Sequence, residues 1–137
     1  MPVLLDTGAL ELLRRRDQRV ENLVLRHYPP VLCPHVAGEF LHHQLQAPVS
    51  EAALTQARTY VAAFEVLEPT ARTAEIHARL RAHLAARDIP LCAAGRWIAA
   101  HALEQHLPLL TTERSFRQVP RLKVHLLQPR FIRPAGA

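Results

Sequence analysis

The chain has 137 residues, 49% of them apolar, and its 17 basic against 12 acidic side chains leave a net charge of +5. That length suits one domain with a continuous core, and no apolar run is long enough for a membrane-spanning helix. Cys33 and Cys92 lie far apart in no CxxC pair, which excludes a zinc knuckle or disulfide framework and leaves two reduced, buried thiols as the expectation.

In chain order, Val3-Leu4-Leu5 is a short apolar run that stops at Asp6, as a buried strand does where it meets a polar loop. The acid and glycine of MPVLLDTG interrupt what would be the apolar stretch of a signal peptide, so the chain reads as mature, soluble and cytoplasmic. Apolar positions 9, 10, 12 and 13 predict a helix capped by Asp6 or Thr7 and closed by Arg14-Arg15-Arg16, whose cations suit its negative end. A second helix from about Gln18 to His27 ends before Pro29-Pro30. Val31-Leu32-Cys33 is a second strand, and Pro34 opens a helix that carries Val36, Glu39, Phe40 and Leu41.

Ser50 begins a helix that runs to about Phe64, and Val66-Leu67 forms a third strand. Thr70 caps a long helix from about Ala71 to Arg87. After Asp88-Ile89-Pro90 comes a further helix from about Ala93 to Gln105. Pro108 to Thr111 is a fourth strand, ending in the polar turn Thr112-Glu113-Arg114-Ser115, and Leu122 to Leu126 is a fifth. Alternating strands and helices imply an α/β fold with a parallel sheet of four to five strands covered on both faces. The domain is assigned to residues 1–127, and the proline-rich 128–137 to a tail.

Sites in open parallel sheets form outside the carboxyl ends of the strands. Asp6 directly follows the first strand, Glu113 lies two residues past the fourth, and Glu39 sits about two turns into the helix after the second. Three acids at one edge raise each other's pKa unless a divalent cation compensates, and hard oxygen ligands suit magnesium or manganese. Taken singly, Asp6 reads as a helix cap, and Glu39 and Glu113 as solvated surface charge.

MPVLLDTGAL, HVAGEFLHH and RWIAAHALEQHLPLLTTERSF, in this order and with a closing LKVHLL strand, resemble the PIN-domain family, nearest to its VapC-type toxins. The resemblance covers almost the whole chain. It implies a three-layer PIN-like sandwich and a magnesium- or manganese-dependent endoribonuclease with up to four clustered acids. It also implies an RNA substrate, a cognate VapB-like antitoxin and a homodimer. Carried over by position, Asp6, Glu39 and Glu113 match the first, second and fourth acids, as both catalytic and metal-binding residues. The third acid should lie three residues before Ile98, where this chain has Gly95. Gly8 stands where an asparagine is common, and Ser115 where many relatives have a further aspartate. These departures open a second expectation, a PIN fold without catalysis that binds RNA or protein.

Thr7, Thr111 and Thr112 flank the acids, and their hydroxyls suit a metal-bound water or a phosphate as well as caps and turns. Arg114 and Arg117 beside Glu113 are the stronger candidates for substrate contact. Arg96, next to Gly95, is a further one, with a charge suited to the space of a missing cation. His35, Glu39 and His43 share an i, i+4, i+8 spacing that a transition metal accepts, but no HExxH motif accompanies them. The other histidines show no ligand grouping and read as surface or partly buried. Trp97 reads as core or dimer interface.

Overall fold

The computed structural model describes residues 1–46 and 48–128. Its centre is β1 (Val3–Leu5), three consecutive residues that are all buried. Such a run stays buried only if both faces of the strand are covered, which is what a parallel sheet between helices provides. On one side β1 pairs in parallel with β2 (Pro30–Leu32), and on the other with β4 (Leu109–Thr111). The edges are β3 (Glu65–Val66) beside β2 and β5 (Val124–Leu126) beside β4, so five parallel strands run in the order β3-β2-β1-β4-β5.

Six α-helices cover the sheet among the described residues. Asp6 caps α1 (Thr7–Arg14) and Asp17 caps α2 (Gln18–Arg26), each accepting backbone N–H bonds from the first turn. Pro34 opens α3 (Pro34–Gln44), where its missing N–H leaves nothing unpaired. Ser50 caps α4 (Glu51–Ala62), and Thr70 with Thr73 forms a reciprocal cap on α5 (Ala71–Ala86). The Thr73 hydroxyl also reaches Glu104 at the end of α6 (Ala93–Glu104), fixing the start of α5 against the end of α6. Ile98, Ala99 and Ala102 of α6 are buried with Leu4, Leu5, Leu109 and Leu110 in one core. Its small alanines let the helix sit close to the strands, and truncating a strand leucine there costs roughly 2–5 kcal/mol.

The predicted architecture is the observed one, and its differences are local. The third strand is Glu65–Val66, one residue earlier than predicted, because both its residues are exposed and apolar pattern did not mark it. The fifth begins at Val124, two residues later than predicted. Of the polar turn expected at Thr112 to Ser115, the last two residues belong to a 3-10 helix, Arg114–Gln118, around buried Phe116. Cys33 is buried as expected, whereas Cys92 is exposed at the start of α6, a cap position open to water. Apart from Gln128, the assigned tail lies outside the described residues.

Candidate active site at the carboxyl edge of the sheet

Because β1 lies between β2 and β4, the carboxyl ends of these three strands are adjacent. Asp6 leaves β1 there, α3 departs from β2, and Thr111-Thr112-Glu113 leaves β4. Asp6 is 4% exposed, and its two carboxylate oxygens are divided between neighbours. Oδ1 accepts the Ala9 N–H at 2.8 Å, and Oδ2 accepts the Thr111 hydroxyl. Thr111 Oγ1 in turn accepts the Glu113 N–H at 2.9 Å. One hydroxyl therefore ties the carboxylate at the end of β1 to the backbone that presents Glu113.

Burial pushes the Asp6 carboxyl above its ordinary value, and the negative charge of Glu113 pushes the same way. The hydrogen bonds from Thr111, Ala9 and Thr112 oppose both. A desolvated carboxylate with a second acid in electrostatic reach is the arrangement that a cation relieves. Glu113 and Glu39 are exposed, and Glu39 is not among the groups that act on Asp6. Among the described residues, no group of three or more His, Cys, Asp or Glu side chains is close enough to hold an ion. Of the three predicted acids, the structure thus couples Asp6 to Glu113, while Glu39 is an exposed residue of α3. Two carboxylates and their hydroxyl neighbours fit magnesium's habit of keeping waters and binding through one or two acids plus substrate phosphates.

Both glycines that depart from the family pattern have their side-chain space filled. A Cβ on Gly8 would overlap Thr112 Oγ1. A Cβ on Gly95 would lie 2.8 Å from Leu91 Cδ1 and 3.1 Å from its Cγ. At the position of the expected third acid, the side-chain space is therefore walled by the apolar side chain of Leu91. Cys92 reinforces this wall, since its Sγ accepts the Gly95 N–H at 3.3 Å and caps α6. The sequence did not mark Leu91, and it marked Cys92 only as a thiol, because a cysteine cap gives no usual signal.

Arg96 does not offer a free guanidinium to the site. Its Nη1 donates to the Leu91 carbonyl at 2.6 Å, holding the segment before α6, and its Nε is buried without a partner. Arg114 and Arg117 are exposed on the 3-10 turn beside Glu113, and Thr7 is half-buried in the first turn of α1. The His35 ring lies parallel to Trp97, with centroids 5.9 Å apart at 12°, and His77 stacks on the same indole at 3.8 Å. Trp97 thus bridges α3 and α5 in a stack that spacing along the chain did not reveal. His101 is 1% exposed, against the expectation of surface or partly buried histidines, because it sits on a helix otherwise packed with alanines.

The family profile described as PIN domain matches residues 3–122. A search of curated protein sequences finds no significant match. Among solved structures, VapBC2 from Rickettsia felis bound to a DNA fragment from its promoter superposes with a TM-score of 0.81 at 16% identity, covering 93% of this chain and 100% of that one. VapBC-1 from nontypeable Haemophilus influenzae gives a TM-score of 0.81 at 20% identity, over 92% and 98% of the two chains. VapBC-5 from Mycobacterium tuberculosis gives 0.68 at 22% identity, over 92% and 98%. At these identities the structural likeness speaks to the fold.

Proposed function

The chain belongs to the PIN-domain family, and from that premise we propose that it is an endoribonuclease of the VapC-like toxin type, weakened by its missing third acid. The observation that carries this reading is the buried Asp6 carboxylate, pinned by Ala9 and Thr111 and coupled to Glu113 at the carboxyl edge of the sheet. A magnesium or manganese ion there would be held by Asp6 and Glu113, with Glu39 swinging in from α3 as a third ligand. When bound, such an ion lowers the pKa of a water and offsets charge building on the phosphate.

The chain's own residues do the rest. Thr111 keeps the Asp6 carboxylate in one orientation, so its free lone pairs stay aimed at the edge. Arg114 and Arg117 draw the RNA backbone towards Glu113 through charge-assisted bonds to phosphate. Thr7 and Thr112 offer hydroxyls to the same phosphate. Arg96 acts as a brace for the segment before α6 and does not contact substrate.

Likeness to chains of VapBC complexes supports a cognate VapB-like antitoxin for this chain, and a homodimer and a cytoplasmic location complete the proposed reading. Leu91 in the space of the third acid favours one second reading, a PIN fold that binds RNA or protein without cutting. The deciding experiment is cleavage of a panel of structured RNAs with manganese or magnesium, by the native chain and Asp6→Asn. Metal-dependent cutting that Asp6→Asn abolishes sustains the nuclease. RNA binding without cutting, unchanged in Asp6→Asn, sustains the second reading.

A further inference from the structure

A hollow among the described residues lies far from Asp6, at the opposite ends of the strands. It is lined by the residues that precede β1, β4 and β5, namely Met1, Pro108 and Lys123, and by one face of α5. Its volume is about 690 Å³, within the range of functional pockets. The floor is aliphatic, formed by Ile76 and Leu80 of α5 with Leu103, Leu107 and Leu122. Arg72, Arg79, Arg121 and Lys123 stand around it, against one carboxylate, Glu75, which pairs with Arg79 at 3.0 Å. Four cations against one acid give this lining +3, out of +5 for the whole chain.

We propose that this groove is a second docking site, taking an acidic amphipathic helix from a partner protein. The apolar floor asks for aliphatic side chains and the rim for carboxylates, and an amphipathic helix presents both at once. The lining of α5 runs from Arg72 to His83, about 16 Å along the helix axis, which matches three turns of a docked helix. A second copy of this chain fits poorly, because a two-fold contact would set these cations against their own images. A nucleic-acid strand fits less well, since no Phe, Tyr or Trp among the described residues lines the groove to stack a base. His106 and Arg121 hold the lining with φ of 54° and 66°, left-handed backbone where glycine is the relaxed choice. Keeping a histidine and an arginine at these two positions fits a role for them at the rim.

The test uses the full chain and a synthetic peptide of about 14 residues, with leucines along one helical face and glutamates elsewhere. A scrambled peptide of equal composition and a single-stranded oligouridylate serve as comparison probes. Binding by calorimetry should weaken about tenfold in Arg79→Glu/Lys123→Glu, and about tenfold for the scrambled peptide. Arg121→Gly guards against misfolding: it relieves the left-handed residue, so its Tm should hold or rise while its peptide affinity falls about threefold. No peptide binding, equal binding of the scrambled peptide, or affinity unchanged in both variants would overturn the proposal. So would displacement of the peptide by oligouridylate, which would assign the groove to RNA.

Discussion

Placing an acid at position 95 should not tighten metal binding unless Leu91 is cut back as well. Gly95 is the third residue of α6, where an aspartate would gain about 0.3–1 kcal/mol from the helix dipole and about as much again from replacing glycine. Against this stands the 2.8 Å approach of its Cβ to Leu91 Cδ1, an overpacking that typically costs about 1–3 kcal/mol. These terms nearly cancel, so Gly95→Asp alone should change Tm by no more than about 5 °C. The new carboxylate would be displaced by the leucine, and affinity for manganese should stay within about threefold of native. Leu91→Ala opens the space but empties a site only 8% exposed, costing about 2–3 kcal/mol. Gly95→Asp/Leu91→Ala should therefore melt lower than native, yet bind manganese about tenfold or more tightly. Calorimetric titration with manganese, beside thermal melts of all four proteins, reads both quantities. If Gly95→Asp alone tightens manganese tenfold at unchanged Tm, Leu91 does not obstruct the site and the reasoning is refuted.

Burial raises the Asp6 carboxyl, so the folded state holds the proton more tightly than the unfolded chain. Stability then falls as pH rises from the ordinary aspartate value of 3.8 through the folded pKa, and stays lower above it. Asp6→Asn removes this penalty, so thermal melts should show it above native at pH 7.5, with the gap narrowing towards pH 4. Thr111→Val leaves the Asp6 Oδ2 and the Glu113 N–H without their shared partner, and should cost about 1–3 kcal/mol with a further rise in the Asp6 pKa, read by denaturant melts and NMR titration. Gly8→Asn should destabilise by about 1–3 kcal/mol, and Gly8→Asn/Thr112→Ala should recover most of that loss, because the clash is with the Thr112 hydroxyl.

The fold was readable because its signals were local and doubled. Leu5 followed by Asp6 marks both a strand end and a helix cap, and Thr70, Ser50 and Pro34 mark helix starts by rules that need no neighbours. β3 was misplaced because an exposed two-residue edge strand carries no apolar signature. Asp6, Glu113 and Thr111 could be placed together because strand order, once parallel, sets which ends meet. For Glu39, helix spacing gives only a place on α3, where it is exposed as Glu113 is. Leu91 was invisible for another reason: Gly95 states only that no acid is present, and what fills the space depends on a loop folded from outside the helix. Arg96 likewise read as a free charge, until the Leu91 carbonyl was found to hold it.

The chain's net charge of +5 does not by itself say which face meets RNA. Two cations, Arg114 and Arg117, stand beside Glu113, whereas Arg72, Arg79, Arg121 and Lys123 crowd the far groove. For single-stranded RNA each neutralised phosphate contributes about −0.7 to the slope of log affinity against log salt. Contact through Arg114 and Arg117 alone predicts a slope of about −1.4, while recruitment of the groove cations as well predicts about −4. Anisotropy titrations of an Asp6→Asn chain with labelled RNA, across about 50 to 200 mM salt, separate these values. The shallow slope should persist unchanged in Arg121→Gln/Lys123→Gln. A slope near −4 that falls towards about −2.8 in that variant would mean RNA crosses to the far groove. The acidic edge would then be one end of a longer RNA track, and the groove could not be reserved for a protein partner.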